Sequence, residues 1–216
     1  MRPNKLGLDV RDLHIRRESL SWRYDFHVAT GQMLAVMGES GCGKSTLLDT
    51  LGGFYPAEQG QIYLGEQSIA TLDIRLRPVS TLFQQYNLFE HLTVEQNLKL
   101  GFCKASPTPA QWQQVEQALA LLGVQEQLKR KPSVLSGGQR QRIALIRVML
   151  REQPIVLLDE PFSALDAQTR RLCGDWVKHV CQEQQKIVLM VTHEAMDAQE
   201  WADQTLWVQP LQSTDV

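Results

Sequence analysis

The sequence predicts an α/β protein whose mostly parallel sheet is covered by helices on both faces. Three observations carry that expectation. Short, continuously apolar strings recur between helical stretches, at residues 33–37, 155–158 and 187–191, and uninterrupted apolar strands signal a sheet buried on both sides. A glycine-rich loop, residues 38–45, lies between the first string and a helical pattern. Hydrophobic residues make up 43% of the 216 positions and charged ones 21%, which suits one packed domain and not a disordered chain.

Each element follows in order. Residues 8–15 and 22–28 read as strands flanking the charged turn Arg16, Arg17 and Glu18, and residues 33–37 form the next strand. The helix after the glycine-rich loop carries Leu47, Leu48 and Leu51, and Gly52 and Gly53 suit its end. Residues 61–64, framed by Pro56, Gly60 and Gly65, and residues 79–83 are further strands. From about 87 to 153 the pattern turns helical. Thr93 with Gln96 and Thr108 with Gln111 fit capping boxes, the second with Pro109 at the first helical position, and Gly123 ends that helix. After Pro154 the alternation resumes: strand 155–158, helix 166–184, strand 187–191, helix 194–202 and strand 205–208. The expected organisation is a single domain over 1–216, with a β/α core at 1–86 and 154–216 and an inserted helical lobe at about 87–153.

Composition excludes several classes. Lys plus Arg total 22 against 24 for Asp plus Glu, a net charge of −2, whereas a dedicated nucleic-acid binder carries a basic excess. No apolar run approaches the roughly 18 residues needed to cross a bilayer, and the N-terminal residues lead into no signal-peptide core, so export is not expected. The cysteines at 42, 103, 173 and 181 form no CxxC pair; reduced thiols in the cytosol are the expectation.

Gly38, Glu39, Ser40, Gly41, Cys42, Gly43, Lys44 and Ser45, followed by Thr46, fit the pattern GxxxxGK[ST] between a predicted strand and a predicted helix. Glycines let consecutive backbone N–H groups turn toward phosphate oxygens, and the helix N-terminus adds partial positive charge. Lys44 supplies a full charge for the β- and γ-phosphates, and the Ser45 hydroxyl can ligate magnesium. Asp159 and Glu160 close the apolar strand at 155–158. Ligands of parallel α/β sheets sit at the carboxyl ends of strands, so Asp159 is expected to face the loop and hold magnesium, and Glu160 to polarise an attacking water. Alone, an acidic pair before Pro161 is more often a solvated turn; the loop and the strand reverse that reading.

Leu135, Ser136, Gly137, Gly138 and Gln139 are the most discriminating stretch. A capping box explains Ser136 and Gln139 but not two glycines in a first helical turn, each costing about 1 kcal/mol relative to alanine. Bare backbone at a helix start is better explained by close approach to an anion. The helix that follows, at 140–151, carries Ile143, Ala144, Ile146, Val148 and Leu150 and reads as mostly buried.

These elements in this order resemble the ATP-binding subunits of ABC transporters across essentially the whole chain. LSGGQ is similar to the family's signature, GESGCGKS to its Walker A loop and IVLLDE to its Walker B strand. Gln84 matches the Q-loop, Ser163, Ala164, Leu165 and Asp166 the D-loop, and His193 the switch histidine. The resemblance implies a P-loop NTPase (RecA-like) core with mostly parallel sheet, an N-terminal antiparallel β subdomain and an inserted helical lobe. It implies ATP and Mg2+ as ligands, with Ser45, Gln84 and Asp159 around the metal. It also implies a head-to-tail pair of ATPase subunits, most simply a homodimer, in which Ser136, Gly137, Gly138 and Gln139 close over the partner's ATP. Glu160 is then the general base, His193 contacts the γ-phosphate and the attacking water, and Asp166 links the two sites. The family's usual adenine-stacking aromatic falls here at Arg16 or Arg17, with Trp22 and Tyr24 as aromatic alternatives; a guanidinium plane also stacks on a base.

Residues 82–94 are similar to ATPases of bacterial importers that use a periplasmic solute-binding protein, and 77–98 and 151–166 to the thiamine-importing branch, a pattern other small-molecule importers share. The expected function is ATP hydrolysis that powers import of a small solute through a separate transmembrane permease. The expected location is the cytoplasmic face of the inner membrane, peripheral, and soluble when isolated. Permease coupling helices would dock beside Gln84, on a surface including Tyr86, Leu88, Phe89 and Leu92, residues that serve equally well as lobe core. An exporter or lipoprotein-release ATPase remains an alternative, and so, less well supported, does a non-transport ATPase acting on nucleic acid. A P-loop kinase or GTPase would explain the loop but neither LSGGQ nor the histidine. No C-terminal regulatory domain of the sugar-importer kind is expected.

Overall fold

The computed structural model describes residues 7–85, 88–102 and 106–211. Two sheets organise the chain. In the first, β1 (Gly7–Arg17) pairs antiparallel with β2 (Leu20–Ala29) on one side and β4 (Gln59–Leu64) on the other, and β5 (Gln67–Ser68) extends the edge. The second sheet is wholly parallel, with β3 (Met33–Met37), β6 (Val79–Leu82), β7 (Ile155–Asp159), β8 (Ile187–Val191) and β9 (Gln204–Trp207) in the order β6-β7-β8-β3-β9. Every residue of β3 and β8 is buried, as a sheet covered on both faces requires.

Side-chain alternation divides the core between the two faces. Leu34, Val36, Leu157 and Leu189 pack with Leu8, Val10 and Ile62 of the antiparallel sheet and with Leu47 and Leu51 of α1 (Lys44–Gly52). Met33, Val156, Leu158, Val188 and Met190 pack on the other side. Their partners there include Leu98 of α2 (Val94–Lys99), Leu119 of α3 (Pro109–Leu121), Ile146 of α4 (Gly137–Met149) and Val177 of α5 (Ala167–Glu183). The helices of the 87–153 segment therefore share one continuous core with the parallel sheet. The last helix, α6 (Ala195–Trp201), sets Ala198 against Ala35 and Met37. Among the described residues no helix is long and apolar enough to cross a membrane.

Local signals formed as read. Thr93, Thr108 and Ser136 each accept from the N–H three residues on, while the glutamine there returns a bond to the cap's own N–H. The helix expected at 140–151 begins at Gly137, because the Ser136 cap sets its first turn. Strand β5 was not expected; two polar residues carry no period. Arg77 also gave no local signal. It reaches back to donate from Nη1 to the carbonyls of Thr50 and Leu51, both at 2.8 Å, and so satisfies last-turn acceptors of α1 beside Gly53, whose φ is +85°.

Candidate functional site

The site is built on the turn from β3 to α1. Gly38, Gly41 and Gly43 all have positive φ, the last at +105°. At Gly43 the need for glycine is double, because an added Cβ would lie 2.4 Å from the Trp22 ring. Trp22 is 2% exposed and donates its indole N–H to the Cys42 carbonyl at 2.6 Å. It is a pedestal under the loop. Lys44 Nζ donates to the carbonyls of Gly38 (2.9 Å) and Glu39 (2.8 Å), folding its ammonium back over the loop. Among the described residues no side chain caps the N-terminus of α1, which leaves its first-turn N–H groups to an anion.

Ser40, Gly41, Gly43, Lys44, Ser45 and Thr46 line a cavity of about 360 Å³ whose wall also includes Arg17, Trp22, Glu160 and His193. Gly38, Glu39 and Cys42 belong to the loop without lining it. The Cys42 thiol is 9% exposed and packs beneath Gly38.

The carboxyl edge of the parallel sheet delivers the acidic groups. Asp159 ends β7 opposite Val191 and accepts from Ser45 Oγ at 2.9 Å. Burial pushes the Asp159 carboxyl above its ordinary range, against the opposing Ser45 hydrogen bond. Glu160 follows with φ +50°, a left-handed conformation costing about 1–3 kcal/mol away from glycine and typical of functional positions. Four bonds hold its backbone there. Its N–H donates to Val191 O at 3.1 Å, and its carbonyl accepts from Ser163 N–H at 3.3 Å and from Ser163 Oγ and Gln141 Nε2, both at 3.2 Å. The turn brings Glu160 Oε1 to 2.7 Å from His193 Nε2.

The remaining expected residues fall into two groups. Gln84 is exposed two residues beyond β6, whose Leu82 pairs with Leu158; it shares the sheet edge with Glu160 but does not line the cavity. Ser136, Gly137, Gly138 and Gln139 open α4 without lining their own chain's cavity, and the glycines abut the loop after Glu160. A Cβ on Gly138 would stand 3.2 Å from Ala164 O. Asp166 caps α5, accepting from Thr169 N–H at 3.0 Å and Thr169 Oγ1 at 2.7 Å, and those bonds hold its carboxyl below the usual range.

Trp22 lines the cavity but is 2% exposed and bonded to the Cys42 carbonyl, and Tyr24 is 5% exposed and does not line it. Of the arginines, Arg16 pairs outward with Glu58. Arg17 instead lines the cavity, lies 5.4 Å over the Tyr55 ring and reaches Thr46 Oγ1 at 3.4 Å. On the proposed docking surface, Leu88 packs into the helical core while Phe89 is 47% exposed; Tyr86 lies outside the described residues.

Sequence reasoning missed Gln141. It is fully buried in α4, donates to the Glu160 carbonyl and accepts from Ala164 N–H at 3.0 Å, tying the serine–glycine turn to the acidic loop. Its place two residues after LSGGQ was visible, but a buried glutamine in a helix gives no periodic signal.

A phosphate-binding loop facing a serine–aspartate pair and a glutamate–histidine pair at one sheet edge defines a nucleoside triphosphatase of the phosphate-loop class. The chain belongs to the ABC transporter family, which it matches over residues 23–163. It is similar to the thiamine import ATP-binding protein ThiQ of Photorhabdus laumondii, 44% identical over 93% of this chain and 86% of that protein. The ThiQ of Haemophilus influenzae is 42% identical over 93% of this chain and 94% of its own length. Among solved structures, a dimeric ATP-binding cassette in a post-hydrolysis state, bound to ADP and Pi, superposes with a TM-score of 0.78 at 25% identity, covering 94% of each chain.

Proposed function

We propose that this chain is the ATP-hydrolysing subunit of a bacterial importer for a small solute, with thiamine as the leading cargo. The observation that carries the enzymatic part is the 2.7 Å contact between Glu160 and His193 on the wall of the phosphate-loop cavity. The cargo rests on the similarity to thiamine import ATP-binding proteins over most of the chain.

In this reading the loop amides and Lys44 take the β- and γ-phosphates, with Gly38, Glu39 and Cys42 shaping the loop from behind. Glu160 is the general base toward water, and His193 fixes Glu160 and meets the γ-phosphate. The oxygen donors Ser45 and Asp159 fit a hard divalent cation. Among the described residues no group of three or more His, Cys, Asp and Glu forms a cage, so Mg2+ would share its shell with phosphate oxygens and water. When bound, the ion neutralises charge developing on the phosphates. Gln84 is the sensor of that ion, at the same sheet edge. Ser136 and its glycines serve the nucleotide of a second copy, which fits their place outside the wall of their own cavity, and Asp166 borders that contact. The helical segment at 87–153 acts as the subdomain that meets a transmembrane permease, on the cytoplasmic side of the inner membrane, with a periplasmic solute-binding protein delivering cargo.

The test is reconstitution with a thiamine-importer permease and its solute-binding protein. ATP hydrolysis in proteoliposomes should rise with thiamine-loaded binding protein and not with empty binding protein. Equal rates with both would refute the cargo, and no hydrolysis under any condition would refute the enzyme.

A further inference from the structure

Behind the Glu160–His193 pair lies a second cavity of about 200 Å³, which shares both residues with the nucleotide cavity and has Arg170, Thr192 and Asp197 in its wall. Asp197 is 3% exposed and accepts from Thr192 Oγ1 at 2.7 Å; the same hydroxyl accepts from Glu194 N–H at 3.1 Å. The residues on either side of His193 are thus stapled to one buried carboxylate of α6. Thr192 N–H also donates to Val36 O at 3.3 Å, fixing the turn to the sheet.

Arg170, from the first turn of α5, faces this staple. Its Nη1 is 3.9 Å from Asp197 Oδ1 and 3.6 Å from Glu194 Oε1, and its Nη2 donates to Phe162 O at 3.4 Å. Burial raises the Asp197 carboxyl, while the Thr192 bond and the Arg170 charge act the other way. One guanidinium therefore spans the loop after Glu160, the turn bearing His193 and the helix capped by Asp166. It touches neither the nucleotide cavity nor the Glu160 and His193 side chains by any hydrogen bond.

We infer that Arg170 is a positioning residue for hydrolysis: through Asp197 and Thr192 it holds the 192–194 turn so that His193 stays on Glu160. This rests on the proposed roles of Glu160 and His193. A displacement of about 1 Å at a reacting group costs up to about 100-fold.

The test is a double-mutant cycle on the full chain, using single-turnover hydrolysis of labelled ATP and binding of a fluorescent ATP analogue. Arg170→Met should lower hydrolysis by about 10- to 100-fold with binding changed less than about twofold, and Arg170→Lys should recover part of the loss. In a His193→Ala background, Arg170→Met should have no further effect, because its action passes through the missing ring. Thr192→Val, which removes only the hydroxyl, should repeat the pattern and covers the case in which Arg170→Met does not fold. Equal losses in both backgrounds, or wild-type hydrolysis in Arg170→Met, would overturn the positioning role. Wild-type hydrolysis in His193→Ala alone would instead overturn the site assignment beneath it.

Discussion

Replacing Glu160 with glutamine isolates chemistry from structure at this site. The side chain makes a single described hydrogen bond, to His193 Nε2 at 2.7 Å, and glutamine keeps an oxygen that can accept it. The backbone bonds that hold the strained turn, from Gln141, Ser163 and to Val191, do not involve the carboxylate. Fold and nucleotide grip are therefore spared, and what disappears is a proton acceptor. Loss of a general base costs about 10²- to 10⁴-fold, which at 1.36 kcal/mol per decade is about 3 to 5 kcal/mol of barrier. Steady-state phosphate release gives the rate, a fluorescent ATP analogue gives affinity, and thermal melting checks the fold. The expected result is lost turnover with affinity and Tm unchanged. Turnover within about threefold of wild type would refute Glu160 as the base; turnover lost together with binding would refute the separation of roles.

Other outcomes follow from particular contacts. Gly43→Ala should abolish ATP binding, since its Cβ would press on the Trp22 ring beneath the loop; isothermal titration measures it, and retained affinity would mean the pedestal yields. Gly174→Ala should destabilise by about 1–3 kcal/mol through overpacking, because an added Cβ would fall 2.2 Å from Trp201; a denaturant titration reads the change. Burial pushes the Cys173 and Cys181 thiols up to about 12, so both should resist iodoacetamide at pH 8 until the chain is unfolded, as mass spectrometry would detect. Lys186 is 3% exposed and burial pulls its ammonium down to about 8. The unfolded chain then binds more protons between about pH 8 and 10.4, so this residue's contribution to stability should improve as pH rises through that window. Lys186→Met should remove that rise, and a constant gap between variant and wild type from pH 7.5 to 10 would exclude it.

Much of this protein could be read locally. The GxxxxGK[ST] loop, the apolar string ending at Asp159 and Glu160 and the three capping boxes each announce themselves within a few residues, because capping and strand burial are short-range consequences of composition. The register of the parallel strands then follows from topology: Asp159 lies opposite Val191, which brings Glu160 within reach of His193. What stayed hidden were pairings between distant residues with no periodic signature. Trp22, one of two aromatic alternatives for gripping the base, bonds the Cys42 carbonyl 20 residues away. Gln141 fastens the Glu160 turn from 19 residues away, and Arg77 satisfies α1 from 26 and 27.

Sequence alone thus determined that a triphosphate loop, an acidic strand end and a serine–glycine helix start coexist in one α/β chain. The tertiary structure decided that Trp22 props the phosphate loop, which arginine faces the cavity, and which buried polar groups flank Glu160 and His193. The reason is physical: a buried polar side chain must find a partner when it leaves water, and the identity of that partner is set by packing across the fold, not by neighbours along the chain.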